Sequence, residues 1–115
     1  DCPTIDENQH GRVKLGDGPV VFRGPNINPV VFEELSRLAS EHEIPIQPNG
    51  LSKPASNDGN ALQLSRGGMA TGIISIPNRY MHSPVEVVSL SDVDQAAWLI
   101  AHFCKSLTPE SDFTP

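Results

Sequence analysis

The chain has 115 residues, 37% of them hydrophobic, 5% aromatic and 19% charged, which is one domain's worth of ordinary globular composition and excludes wholesale disorder or a fibrous repeat. Eight Lys and Arg against fourteen Asp and Glu leave a net charge of −6; the basic residues are scattered, so neither nucleic acid nor an anionic membrane surface is an expected partner. The longest uncharged apolar run, Gly72 to Pro77, is far too short to span a bilayer, and no basic start followed by an apolar run marks a signal peptide.

The first eighteen residues are polar and read as a loop, with Gly11 to Leu15 as a short edge strand. Pro19 to Arg23 is a compact strand closed by Gly24-Pro25. A helix follows. Asn28 caps it, and Pro29 suits the first helical position because that N–H has no partner inside a helix. Val31, Leu35, Leu38 and Ala39 then fall on one stripe. Glu33 and Glu34 are a solvated first turn rather than an acid/base pair, since neighbours in a helix do not face each other. Pro45 ends this region, and Ile44 to Gln47 reads as a short strand. A Pro-, Asn- and Ser-rich loop leads to a short helix over Asp58 to Arg66, capped by Ser56 or Asn57 and stopped at Gly67-Gly68.

Met69 to Ile76 is uncharged and rich in β-formers, the pattern of a strand buried on both faces. Val85 to Leu90 alternates and predicts another strand. Ser91 with Asp94 resembles a capping box. Val93, Ala97, Ile100, Cys104 and Leu107 then mark the apolar stripe of a long helix, and residues 108–115 read as a frayed tail. The order strand, helix, strand, helix, strand, strand, helix argues for one α/β unit, a layered sandwich of a mostly parallel or mixed β-sheet with helices packed on it. Of the two cysteines, Cys104 is expected to be a small core residue in a reduced, cytoplasmic protein; a single long-range disulfide to Cys2 is the alternative.

Sites in α/β sheets gather at the carboxyl ends of strands. Asn57-Asp58 and the loop Arg79-Tyr80-Met81-His82-Ser83-Pro84 fit that rule. His82 follows the most apolar strand in a proline-bracketed loop. There a neutral imidazole can ligate a metal or act as a general base, or it can simply hydrogen-bond. His10, His42 and His102 read as surface histidines. Asp58 can bind a cation or a substrate amine, or only cap its helix. No HExxH, GxSxG, P-loop or GxGxxG is present.

The run Asn57-Asp-Gly-Asn-Ala61, followed by Arg66-Gly-Gly-Met-Ala-Thr-Gly-Ile-Ile-Ser-Ile-Pro-Asn-Arg-Tyr-Met-His-Ser-Pro-Val-Glu-Val-Val88, closely resembles the carboxy-terminal part of the deblocking, or tetrahedral, aminopeptidases, some of which carry the label cellulase M. The resemblance extends from Asp1 to about Leu107. It implies part of a zinc-peptidase-like catalytic domain that, when complete, uses two divalent metal ions, zinc or cobalt, to activate water against a peptide carbonyl. Metal ligands in that family are two His, two Asp and one Glu; His82 matches the last of them, and Asn57 and Asp58 fall on substrate contacts. The other ligands and the general-base Glu are expected upstream of Asp1, so the resemblance implies a fragment that is inactive alone. Expected partners are a peptide substrate, the rest of the catalytic domain and further copies in a homo-oligomer. Relatives often carry glycines and a Thr where this chain has Pro54-Ala-Ser-Asn57.

Two other readings stay open on sequence alone. A glycoside hydrolase needs two carboxyls across a sugar bond, for which Asp58 and Glu86 are the available pair. A non-catalytic interaction module of the same ancestry needs neither.

Overall fold

A computed structural model of the chain describes residues 11–115. In chain order it holds β1 (Val20–Arg23), α1 (Pro29–Glu41), β2 (Gln47–Gly50), α2 (Asp58–Leu62), β3 (Ile74–Ser75), β4 (Asn78–Arg79), β5 (Val87–Val88) and α3 (Leu90–Ser106). The expected α/β architecture with a mixed sheet is observed. A three-stranded sheet has the order β2-β1-β3. β1 pairs parallel with β2, Val20 opposite Gln47, and antiparallel with β3, Val20 opposite Ser75. β4 and β5 form a separate antiparallel pair.

Helix α1 forms as its sequence dictates. The Asn28 side-chain oxygen accepts from the Val31 N–H at 3.1 Å, Pro29 opens the first turn, and Val31, Leu35, Leu38 and Ala39 are the buried face. With Val21 and Leu99 they make the core, flanked by Phe32, Ile44, Ile46, Ile74, Phe103 and Phe113. Gly72 permits the close approach of the third strand to this helix, because a Cβ there would lie 2.5 Å from Val31 Cγ1. Gly18 has φ +95°, and a Cβ on it would meet the Pro45 carbonyl oxygen at 2.1 Å, so any other residue is excluded on both counts.

Several expected boundaries move. Residues 11–15 carry no strand. The second strand is Gln47–Gly50, not Ile44–Gln47. Ile44 and Ile46 are half-buried against the core, while pairing starts at the Gln47 N–H, which donates to Pro19 O at 2.9 Å. Apolar residues therefore mark the approach to this strand, and its pairing is set by β1. The short helix stops at Leu62; Leu64 and Ser65 donate instead to carbonyls three residues back, so it tightens into turns before Gly67-Gly68.

Met69–Ile76 is not a strand covered on both faces. Only Ile74 and Ser75 are regular, and Met69 and Ile76 are exposed. Among the described residues the strand pairs with β1 alone, and of the expected run Thr71 and Ile73 are the buried members. Val85–Leu90 contracts to Val87–Val88, paired with the unforeseen β4.

The last helix starts after Ser89, which makes no side-chain cap, so the Ser91/Asp94 capping box is not used. Its buried face is Asp92, Ala96 and Leu99, with Phe103 packed beside them. That face lies one residue away from the expected stripe; Ala97, Ile100, Cys104 and Leu107 are exposed. Cys104 is thus a free surface thiol rather than a core residue; Cys2 and His10 lie outside the described residues. Residues 108–115 carry no helix or strand. Phe113 nonetheless packs its ring 6.1 Å from that of Phe103, and its carbonyl accepts from the Asn28 side chain at 2.8 Å.

Candidate functional site

His82 stands in the loop joining β4 to β5. The register Asn78 opposite Val88 and Arg79 opposite Val87 closes a hairpin, stiffened by Pro77 before it and Pro84 within it. The Ser83 N–H donates to Tyr80 O at 3.1 Å, which makes Tyr80–Ser83 a turn with His82 third in line. His82 there has φ +64° and Tyr80 has φ +63°. A left-handed third residue is a place where Gly or Asn is usual, so two bulky side chains hold a conformation disfavoured for them. Backbone outliers of this kind gather at functional sites. The His82 ring is exposed.

Glu86 closes the loop from inside. One carboxylate oxygen accepts the His82 backbone N–H at 2.5 Å, and the other accepts from the Asn78 side-chain amide at 2.9 Å. These bonds, the Asn78 one first, hold the Glu86 carboxyl below the usual carboxylate range. In the sequence Glu86 stands out only as half of a carboxylate pair; its spacing of four residues from His82 in a proline-bracketed loop is the signal that could have found it.

Asn57 and Asp58 sit elsewhere. The Asn57 side-chain oxygen accepts from Gly59 N at 3.2 Å and caps α2, and Asp58 is exposed in the first turn. Because β3 runs against β1 while β2 runs with it, their carboxyl ends lie at opposite ends of the sheet. The chain after β2 leads to Asn57-Asp58 where β1 finishes, and the chain after β3 leads to the His82 hairpin where β1 begins. Among the described residues no hydrogen bond joins Asn57 or Asp58 to the His82 loop, and none joins Asp58 to Glu86, the pair a glycosidase would need. A cavity of about 670 Å3 lies between the loop 25–29, Gly67–Thr71 and the tail from Asp112; His82, Asn57 and Asp58 do not line it.

Among the described residues no three His, Cys, Asp or Glu side chains converge to hold a metal. His82 alone offers one imidazole, which does not fit a two-metal centre, where each ion takes several protein ligands.

A mixed sheet packed with helices, with a histidine on a left-handed turn in a hairpin beyond one strand end, defines a layered α/β unit. Residues 1–99 match the profile of the M42 glutamyl aminopeptidase family, and the chain belongs to that family. It is 42% identical over 110 residues to a lysyl aminopeptidase of Pyrococcus furiosus, covering 94% of this chain and 32% of that protein. Its fold superposes on an aminopeptidase of the archaeon Desulfurococcus kamchatkensis with a TM-score of 0.81 at 36% identity, covering 94% of this chain and 31% of that one. A TET1 peptidase of Pyrococcus horikoshii, described as able to assemble into a tetrahedron or a large octahedral shell, matches with a TM-score of 0.72 at 26% identity over 93% of this chain and 32% of that one. The chain thus spans about a third of the length of these relatives.

Proposed function

We propose that this chain serves as one part of the catalytic domain of a two-metal aminopeptidase, which removes amino-terminal residues from peptides by attack of metal-activated water. His82 contributes one imidazole ligand, and Asn57 and Asp58 contact the substrate. The observation that carries this reading is the His82 turn, a costly backbone conformation at the histidine that matches the family's last ligand. Membership of the family over residues 1–99 supports the peptidase class. Two ions, zinc or cobalt, are the expected cofactors, the rest of the catalytic domain and further copies of the protein the expected partners, and the cytoplasm the expected location.

One imidazole cannot hold two ions, and no described group is placed as general base, so the isolated chain is expected to release no residue from chromogenic Leu or Glu substrates. The deciding experiment is a calorimetric zinc titration of the pure chain, with His82→Ala as control. Absent or very weak binding is the expected outcome. Tight binding lost in the variant would show that these 115 residues, or a dimer of them, build a complete site, and would overturn the account of a shared one.

A further inference from the structure

The His82 ring can serve a metal only if its backbone aims it, and that backbone lies in the left-handed region, which is uncommon for residues other than glycine. His82 has φ +64° and follows Tyr80 at φ +63° within one turn. The turn's own hydrogen bond, Ser83 N–H to Tyr80 O, closes around Met81 and His82 without engaging the His82 N–H. That N–H points instead to Glu86, whose second oxygen takes the Asn78 amide at the base of the hairpin. One carboxylate thereby ties the apex of the loop to its first strand. Charge-assisted bonds from a carboxylate to backbone N–H groups are stronger than neutral ones, which suits a group opposing a disfavoured φ. The side chains flanking His82 cannot do this work: Tyr80 and Met81 are both exposed, so packing does not lock the loop.

We propose that Glu86 is a positioning residue: it holds the His82 backbone in the left-handed conformation and so fixes the direction in which the imidazole is presented. The inference rests on the reading of His82 as a metal ligand, and it assigns Glu86 no contact with metal or substrate. Both Glu86 oxygens accept, from His82 N–H and the Asn78 amide, so an isosteric amide keeps only one of the two acceptors and loses the charge, and should do part of what the carboxylate does.

The test is nuclear magnetic resonance on the wild-type chain, Glu86→Gln and Glu86→Ala, reading the φ-dependent coupling and hydrogen exchange of the His82 amide, with the Val21 and Leu99 amides as reporters of intact folding. Wild type should show a protected, left-handed His82, and Glu86→Gln, which keeps one acceptor oxygen, should fall between wild type and Glu86→Ala. Glu86→Ala should lose the coupling signature, with exchange faster by roughly tenfold, the scale of one lost hydrogen bond, and with the core reporters unchanged. Unaltered coupling and exchange in Glu86→Ala would overturn the inference. Cobalt added to the same samples reads the ligand assignment separately. Only weak perturbation is expected of a chain that holds one ligand; cobalt binding that perturbs the His42 and His102 rings, which stack at 3.6 Å, and leaves the His82 ring unmoved would overturn that assignment, while the amide readout still decides whether Glu86 holds the turn.

Discussion

Asp92 shows what a single side chain does here that its neighbours in sequence do not reveal. It is fully buried, and its two carboxylate oxygens accept the backbone N–H groups of Gly16 at 2.8 Å and Gly18 at 3.0 Å. The turn entering β1 is thus fastened to the first turn of α3, across more than seventy positions of chain. Truncation by Asp92→Ala leaves the buried Gly18 N–H without an acceptor, while the exposed Gly16 N–H can turn to water, a loss of about 1–3 kcal/mol. Asp92→Asn keeps one oxygen and should fall between. Urea midpoints of the three proteins check the order. Local pattern points to Asp94 in the helix cap, because an acid three residues after a serine is a common signal. Asp92 stands in the same relation to Ser89, but its carboxylate answers a partner that no local pattern contains. His82 is legible because family resemblance and loop chemistry both single it out; Glu86 is not, because its role depends on the φ of another residue.

At the scale of elements, the two long helices contrast. For α1, cap, proline and stripe all agree, and every buried position is the expected one. For α3, two stripes one residue apart both satisfy helical spacing, and they differ by a rotation of about 100°. Apolar content favours Val93, Ala97 and Ile100, whereas packing selects Asp92, Ala96 and Leu99, since the Asp92 bonds and the Leu99 contacts with α1 orient the helix together. Leu99→Ala should therefore cost about 2–5 kcal/mol, and Ile100→Ala less than about 1 kcal/mol, measured by chemical denaturation; equal losses would contradict the observed face.

Helix α1 also carries a charge cluster. Arg37 donates to Glu34 at 2.7 and 2.9 Å and reaches Glu41 one turn on. The Arg37 guanidinium holds the Glu34 carboxyl below its ordinary value, its hydrogen bond outweighing partial burial. A depressed carboxyl contributes stability above its unfolded pKa and loses it as pH falls through the lower folded one. Glu34→Gln should accordingly melt slightly below wild type at pH 7, by no more than about 0.5 kcal/mol for so exposed a pair, and the gap should close in strong acid. Melting curves at both pH values read the difference.

The whole molecule leaves much apolar surface open. Leu90 is 77% exposed, Val85 70% and Trp98 63%, and among the described residues β3 pairs on one edge only. Unpaired strand edges and large apolar patches invite association. The chain should self-associate as its concentration rises, and sedimentation velocity tests this: one sharp monomeric species throughout would argue for the self-standing module instead. A protein spanning about a third of its relatives is expected to show such faces, and no helix in the described residues is long and apolar enough to cross a membrane.

The amino-acid sequence by itself determined the α/β class, the order of the principal elements, the cap and face of α1, and the histidine on which the functional reading turns. Each of these depends on a local signal: a periodicity, a cap residue, a proline, or a motif contained in one run of chain. Tertiary structure alone decided which face of α3 is buried, where β2 finds its register, that β3 opposes β1, and that Asp92 and Glu86 fasten distant or looped segments. Each of these depends on a partner brought close by folding, whose free-energy contribution exists only after distant segments meet, so no window along the chain contains it.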